Sequence, residues 1–169
     1  MELRLARVAS PIGVLLVVVD DAGVLRAVEF EGGEARLERL LRLYCGACVL
    51  RDGAAPEAAR AFDAYFAGAV TALDGLPVAT GGTPFQRAVW SALRAIPPGT
   101  SLGYGALAAR LGRPAAGRAV GAANGANPIS IAVPCHRLVG ANGALTGYAG
   151  GLGRKRWLIE HERRHAPAQ

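Results

Sequence analysis

A stretch near the middle of the chain, residues 70–82, has no persistent hydrophobic period. It contains Asp74-Gly75, Pro77 and Gly81-Gly82, which favour turns. The residues before it combine apolar runs typical of strands with two amphipathic helical patterns, whereas the residues after it show mainly helical patterns. We therefore predict two domains, residues 1–80 and residues 81–169, in a chain long enough to bury a reasonable core.

The N-terminal domain is predicted to be an α/β lobe with a small antiparallel sheet. Two apolar runs, residues 13–20 and 24–30, are separated by Asp21-Ala22-Gly23, a turn sequence that favours a β-hairpin. Large apolar residues then recur every three or four positions in residues 34–44 and 56–66, which is the spacing of amphipathic helices.

The C-terminal domain is predicted to be mostly helical. Thr83-Pro84 is a helix-start signal, and Pro97-Pro98-Gly99 ends that helix. Two short helices, residues 104–111 and 114–124, are separated by about one turn and suggest a helix-turn-helix. A basic helix over residues 154–164 ends the pattern.

Positive charge is concentrated in the second half of the chain. Residues 1–80 hold 8 basic and 11 acidic side chains, a net charge of −3, whereas residues 81–169 hold 11 basic and 2 acidic side chains, a net charge of +9. Only one of the 19 basic residues is a lysine, which a GC-rich coding bias explains. The planar guanidinium of arginine nevertheless suits phosphates and base edges. This distribution indicates an acidic partner such as nucleic acid.

Composition excludes several classes of protein. With 51% hydrophobic and 19% charged residues, the chain is neither disordered nor collagen-like. The N-terminus lacks the pattern of a signal peptide, and the longest apolar run, residues 14–19, is far shorter than the roughly 18 residues that span a bilayer. Three cysteines are too few for a disulfide framework. We expect a cytoplasmic monomer with reduced thiols and no membrane partner.

One short segment carries residues suited to covalent chemistry. Pro134-Cys135-His136-Arg137 follows the apolar run 129–133, so the thiol is expected at a well-defined position. A thiol with a histidine nearby is the minimum for a nucleophile, because the thiolate is the reactive form and a base favours it. On these residues alone, the alternative is that Cys135 is a buried packing residue and not a nucleophile. Free cysteine is often buried, and adjacent residues on a strand point to opposite faces.

The surroundings of Cys135 resemble the O6-alkylguanine-DNA alkyltransferases, also called methylated-DNA–protein-cysteine methyltransferases. The family's Pro-Cys-His-Arg signature stands at residues 134–137, preceded by Asn127-Pro128 and followed by the matching run 143–151. The resemblance covers about residues 83–162. It implies an N-terminal lobe similar to a ribonuclease-H-like core, a helical C-terminal lobe, and repair of alkylated double-stranded DNA without a cofactor or metal.

For catalysis, the resemblance implies that Cys135 accepts the alkyl group of guanine O6 in one displacement, which consumes the protein. His136 would activate the thiol through a water molecule, and Glu162 would hold the imidazole in the required tautomer. Asn127 resembles the asparagine that braces the turn leading to the recognition helix, close to the thiol. Arg137 is expected to form a structural ion pair.

For DNA binding, the target nucleotide must leave the duplex to reach a thiol inside a protein. The resemblance implies that Arg118, on the second helix, fills the vacated space, and that Tyr104 assists rotation and hydrogen-bonds the flipped guanine. That helix is otherwise rich in small residues, which suits either a minor groove or tight packing against a neighbour. Its further predicted DNA contacts are Ala119, Ala123 and Asn124.

The predicted base pocket contains Leu138, Tyr148 and Ala149. An amide at Ala149, where other members carry serine, would donate to guanine O6. Lys155 matches a lysine of the family's C-terminal helix, and its role stays open between active-site support and packing. The resemblance leaves open which alkyl groups are accepted and whether O4-alkylthymine is a substrate.

Four residues fall outside the resemblance. Cys45 and Cys48 form a lone C-x-x-C without the second pair or nearby histidine of a zinc site, so we interpret them as ordinary thiols, with a redox dithiol as the alternative. His161 and His165 are predicted to be surface residues.

Three other functions compete with alkyl transfer. A non-catalytic alkyltransferase-like protein would have the cysteine replaced, whereas Cys135 is present. A helix-turn-helix regulator requires polar residues on its recognition helix, where only Arg118 and Asn124 qualify. A cysteine peptidase requires an oxyanion hole and a substrate cleft rather than a basic lobe.

Overall fold

The computed structural model describes residues 1–167, and the chain divides into two compact units. The first contains residues 1–82 together with 128–132, and the second contains residues 83–127 together with those from Val133 onwards. The short segment 128–132 joins the first unit because its backbone pairs with Val28. A single domain boundary, such as the one predicted at residue 80, does not describe the assignment of residues 128–132 to the first unit.

The pairing of that segment is made by two backbone hydrogen bonds. Val28 N donates to Pro128 O at 3.0 Å, and Ser130 N donates to Val28 O at 3.2 Å. Ile131 then adopts a left-handed conformation, with φ of 70°. Such a conformation costs a non-glycine residue about 1–3 kcal/mol and persists only where the surrounding structure imposes it. The strained residue lies four positions before Cys135.

The first unit is built on a four-stranded sheet of order β3-β2-β1-β4. Strands β1 (Glu2–Val8), β2 (Leu15–Asp20) and β3 (Leu25–Phe30) are antiparallel neighbours, whereas β4 (Val49–Asp52) pairs with β1 in parallel. The sheet is therefore mixed, not purely antiparallel as expected. Helix α1 (Glu34–Cys45) precedes β4, and a helical crossover lets a strand return in the parallel direction where a tight turn does not.

The predicted hairpin is confirmed between β2 and β3. Asp20 Oδ1 accepts hydrogen bonds from the backbone N of Ala22 at 2.9 Å and of Val24 at 3.0 Å, which forms the turn. Arg26 completes the arrangement with an ion pair to Asp20 at 2.8 Å.

Both amphipathic helices of the first unit are confirmed. Helix α1 buries Leu37, Leu40 and Leu41, the residues on the apolar side of its period. Helix α2 (Pro56–Phe66) begins at the proline, whose missing N–H is tolerated in a first turn. Burying each leucine side chain contributes about 1.5–3 kcal/mol relative to exposure.

Among its described residues, the second unit contains four α-helices: α3 (Pro84–Arg94), α4 (Tyr104–Arg110), α5 (Gly117–Gly125) and α6 (Leu152–His165). The predicted start signal of α3 is a full capping box. Thr83 Oγ1 accepts from Gln86 N at 3.1 Å, and Gln86 Oε1 accepts from Thr83 N at 2.9 Å. Within residues 1–167, no helix has both the length and the apolar character needed to cross a membrane.

Helix α5 begins later than the sequence pattern suggests. It starts at Gly117 instead of Pro114, because Pro114 is the second residue of a turn that Ala116 N closes on Arg113 O at 2.9 Å. Proline favours that turn position through its fixed φ. The connection between α4 and α5 is correspondingly longer, at residues 111–116.

Candidate active site

The candidate nucleophile lies in a 3-10 turn, Cys135–Arg137, not on a strand. Pro134 has φ −81° and ψ 67°, and Cys135 N donates to Val133 O at 2.8 Å, which is an inverse γ-turn. Proline suits this position because its φ is restricted to this range. Successive side chains of a 3-10 helix diverge by about 120°, so Cys135 and His136 do not point to opposite faces. Cys135 is 7% exposed.

Two asparagines hold the backbone around Cys135. Asn127 Nδ2 donates to Val133 O at 2.8 Å, and Asn124 Nδ2 donates to Cys135 O at 3.4 Å. Both side chains are buried. Asn127 therefore braces the turn that carries the thiol. Asn124 was predicted to contact DNA, and its burial removes it from the DNA-facing surface and adds it to the residues that hold Cys135.

A buried cluster of three charged or titratable side chains lies beside the thiol. His136 Nε2 is 2.9 Å from Glu162 Oε2. Arg137 donates two hydrogen bonds to the same carboxylate, from Nε to Oε1 and from Nη2 to Oε2, both 2.9 Å long. Its Nη1 donates to Ile96 O. His136, Arg137 and Glu162 are at most 4% exposed. The expected ion pair of Arg137 is confirmed, and it is made with the carboxylate predicted to orient His136.

The electrostatics of this cluster define the tautomer of His136. Burial by itself raises the pKa of the Glu162 carboxyl, but His136 and Arg137 more than offset this and hold that pKa well below its ordinary value of 4.5. An ionised carboxylate only accepts hydrogen bonds, so His136 Nε2 carries the donated proton. The lone pair of a neutral imidazole then resides on Nδ1, which is buried and has no hydrogen-bond partner among the described residues.

Lys155 is the second buried cation near the thiol. Its side chain is fully buried on α6, and Nζ donates to Thr146 O at 2.7 Å. Burial lowers the pKa of Lys155 from its ordinary value of 10.5, and the negative charge that Cys135 can carry acts in the opposite direction. An ammonium group within electrostatic range of Cys135 favours the thiolate.

Tyr104 is positioned by a pair of two-residue strands. Strand β5 (Leu102–Gly103) pairs in parallel with β6 (Leu138–Val139), and Tyr104 directly follows β5. This pairing brings Tyr104 to the segment that leaves Cys135. The Tyr104 hydroxyl lies 2.9 Å from Thr146 Oγ1. Leu138 is buried, Tyr148 is half-buried and Ala149 is exposed.

Helix α5 presents two different faces. A helix turns about 100° per residue, so Val120, Ala123 and Asn124 share the buried side, where Trp90 Nε1 donates to Ala123 O at 2.8 Å. Ala123 was predicted to contact DNA, and this packing contradicts that prediction. Arg118 and Ala119 lie on the exposed side, and Arg118 forms no ion pair or hydrogen bond within the described chain.

One surface prediction fails, for His161. It is 2% exposed and its ring stacks on Trp157, with centroids 4.7 Å apart. The signal was present in the sequence, because positions 157 and 161 are one helical turn apart. His165 is exposed as predicted, and its Nδ1 lies 2.9 Å from His161 O.

Cys45 and Cys48 are half-buried and pack against the apolar core of the first unit. Burial raises the pKa of the Cys45 thiol, which reduces its thiolate fraction. Among residues 1–167, no group of three or more histidine, cysteine, aspartate or glutamate side chains is arranged to hold a metal ion.

The two halves of the chain match two domain models of one class of protein. Residues 84–164 match the DNA-binding domain of 6-O-methylguanine DNA methyltransferase, and residues 3–80 match its ribonuclease-like domain. The ribonuclease-like lobe that the resemblance implies is thereby confirmed. Fold and site together define a protein of the 6-O-methylguanine DNA methyltransferase class.

Relatives that match nearly the whole chain agree. The methylated-DNA–protein-cysteine methyltransferase of Salmonella typhimurium is 55% identical over 159 residues, 92% of this chain and 93% of that protein. The Methanosarcina acetivorans protein of the same name is 45% identical over 153 residues, 90% of this chain and 94% of that protein. Mycobacterium tuberculosis OGT, solved in complex with DNA, has a TM-score of 0.80 and 40% identity, covering 99% of this chain and 96% of that one. The chain belongs to the methylated-DNA–protein-cysteine methyltransferase family.

Proposed function

We propose that this protein repairs double-stranded DNA by moving the alkyl group of O6-alkylguanine onto Cys135, once per molecule. The observation that carries this proposal is a buried contact, 2.9 Å long, between Nε2 of His136, on the turn that holds Cys135, and Oε2 of Glu162, on α6. A histidine whose tautomer is set by a carboxylate has its other nitrogen available as a base.

The proton of the thiol has a route to that base. His136 Nδ1 is a buried acceptor with no partner among the described residues, and such a group costs about 1–3 kcal/mol unless a hydrogen bond satisfies it. A water molecule between Nδ1 and the Cys135 thiol would satisfy it and relay the proton. Lys155 adds a positive charge that favours the thiolate.

The transfer step is a single displacement at carbon. The Cys135 thiolate attacks the alkyl carbon, an S–C bond forms, and the C–O6 bond breaks with its electron pair left on guanine. Guanine regains one proton, which balances the proton that the thiol loses. No step regenerates the thiol, so each molecule reacts once. The Ala149 amide and the Tyr104 hydroxyl would stabilise the charge on the departing base, with Leu138 and Tyr148 lining the pocket.

Recognition of the lesion would use the exposed face of α5. Its small residues, Ala119 among them, permit close approach to a groove floor, and Arg118 extends from that face with no partner within the described chain. Arg118 would enter the base stack as the alkylated nucleotide flips out. The same face argues against a helix-turn-helix regulator, because Arg118 is the one polar side chain on it after Asn124 proves to be buried.

The direct test is the mass of the intact protein. Incubation with duplex DNA that contains O6-methylguanine is expected to add one methyl group in exchange for one proton, with no further gain at excess substrate. An unchanged mass overturns the proposal. The same assay with O4-methylthymine measures whether this second oxygen-alkylated base is a substrate.

We also infer that the protein is a monomer in the cytoplasm, where the acceptor thiol stays reduced.

Substitution of Arg118 separates flipping from chemistry. Arg118→Ala is expected to slow repair of the duplex by about 10- to 100-fold, because unstacking a base costs a few kcal/mol that this side chain helps to offset. Reaction with free O6-benzylguanine needs no flipping and is expected to keep its wild-type rate. Both rates are measured from the loss of the free Cys135 thiol.

The control for Arg118→Ala is Arg164→Ala, which removes one exposed positive charge from α6 in the same unit. It is expected to leave the ratio of the two rates near the wild-type value. Equal losses on the duplex and on the free base in Arg118→Ala argue against the flipping role.

A further inference from the structure

Thr146 connects two side chains that the proposed function uses. Its Oγ1 lies 2.9 Å from the Tyr104 hydroxyl, and its backbone O accepts from Lys155 Nζ at 2.7 Å. A Cβ added to Gly140 would lie 2.9 Å from the Thr146 methyl group, so this side chain is closely packed against the backbone at Gly140. The methyl and hydroxyl groups of Thr146 therefore each have a defined neighbour.

The Tyr104 side chain is held at two points. Its ring faces α5 at Gly121, where an added Cβ would lie 3.7 Å from the ring. This contact positions the ring but leaves the direction of the phenolic O–H open, since that bond rotates about the C–O axis. The hydrogen bond with Thr146 restricts this direction, and either hydroxyl can be its donor in the free protein.

A phenolic hydroxyl donates one hydrogen bond and accepts others. When Tyr104 donates to a flipped guanine, its oxygen is available to accept a hydrogen bond, and the Thr146 hydroxyl is at the right distance to donate one. Hydrogen bonds in such a chain polarise one another. Donation from Thr146 therefore strengthens donation from Tyr104, most of all when negative charge develops on the departing base.

We infer that Thr146 is a positioning residue for Tyr104: its hydroxyl donates to the Tyr104 oxygen and directs the Tyr104 O–H at the flipped base. This inference rests on the proposed function. The threonine hydroxyl contributes to the rate of alkyl transfer. The hydrogen bond from Lys155 Nζ to the Thr146 backbone O is kept when only the side chain of Thr146 is changed.

The location of this hydrogen bond separates a functional role from a structural one. In the free protein Thr146 is exposed, so water competes for both hydroxyls and the bond adds little to stability. Once a flipped base and the DNA exclude water, the same bond strengthens. The effect of losing it is therefore expected in the transfer rate and not in the free energy of unfolding.

The test is a set of four variants with saturating duplex that contains O6-methylguanine. Thr146→Val keeps the shape and loses the hydroxyl, and is expected to lower the transfer rate about tenfold, the value of one hydrogen bond. Thr146→Ser keeps the hydroxyl and is expected to stay near the wild-type rate. Tyr104→Phe is expected to be slow, and adding Thr146→Val to it is expected to cost nothing further. Melting temperatures and affinity for unmodified duplex are expected to match wild type for both Thr146 variants.

Several results would overturn the inference. A wild-type rate in Thr146→Val removes the role of the hydroxyl. An equal loss in Thr146→Ser and Thr146→Val assigns the effect to packing of the methyl group against Gly140. A full additional loss in the Tyr104→Phe background shows that Thr146 does not act through Tyr104. If the wild-type protein itself takes no methyl group from DNA, the proposed function fails, and the inference fails with it.

Discussion

Cys135→Ser is expected to abolish methyl uptake from duplex DNA that contains O6-methylguanine, with DNA affinity unchanged. A serine hydroxyl is a far weaker nucleophile than a thiol at neutral pH, because its ionised form is almost absent and His136 deprotonates it poorly. The near-identical size of the two side chains preserves the turn at Pro134. Intact mass and peptide mapping after incubation measure the uptake, and a gel-shift titration measures the affinity.

The chain provides matched controls for this result. Cys45→Ser and Cys48→Ser make the same chemical change at half-buried thiols of the first unit and are expected to retain full uptake. A methyl group found on Cys45 or Cys48 in the wild-type protein, or any uptake by Cys135→Ser, contradicts the assignment of Cys135 as acceptor.

Glu162→Gln is expected to destabilise the protein by about 3–5 kcal/mol, which is the usual effect of removing one partner from a buried ion pair. The variant leaves the Arg137 guanidinium, 4% exposed, without a compensating charge. It also turns an amide N–H₂ toward groups that are themselves donors. The tautomer of His136 is no longer enforced, so the transfer rate is expected to fall by about 100-fold or more. Denaturant unfolding and transfer kinetics below the melting temperature measure the two effects.

Glu160→Gln is the control on the same helix. Glu160 is exposed, and its substitution is expected to change stability by no more than about 0.5 kcal/mol. Comparable losses of stability in Glu162→Gln and Glu160→Gln would show that the effect does not depend on the buried ion pair.

The effect of Glu162 on stability also depends on pH in a defined direction. Its pKa in the folded protein lies below the ordinary value of 4.5, so its contribution is complete above pH 4.5 and is lost as the pH falls toward the folded pKa. The stability difference between wild type and Glu162→Gln is therefore expected to shrink by about 1.4 kcal/mol per pH unit below pH 4.5. A difference that stays constant from neutral pH to about pH 3 contradicts this account.

Local patterns were enough to predict most elements of the fold. The helix over residues 56–66 and the capping box at Thr83 follow from residues close in sequence, since caps and periods act within one or two turns. The sheet was predicted less well. The parallel pairing of β4 with β1, and the union of residues 128–132 with the first unit, depend on residues distant in sequence.

The candidate site divides in the same way. A motif of adjacent residues identified Cys135, His136 and their family resemblance, and Glu162 followed from that resemblance. The turn geometry at Pro134 and the hydrogen bonds by which Arg137 and His136 share the Glu162 carboxylate could be seen only in the structure. The DNA-facing set was partly wrong, because a helix rich in small residues shows little contrast between its inner and outer faces.

Charge and motif are properties of the chain, so a basic, mostly helical second half with a thiol in a recognisable motif could be predicted before any contact was known. Which neighbours hold that thiol and its base depends on how the folded chain packs. Asn124 turned inward to the Cys135 backbone, and Thr146 came within 2.9 Å of Tyr104 although 42 positions separate them. A hydrogen bond depends on distance and direction in space, and these follow from the packing of α4 and α5 and of the turn and loop segments at Cys135 and Thr146.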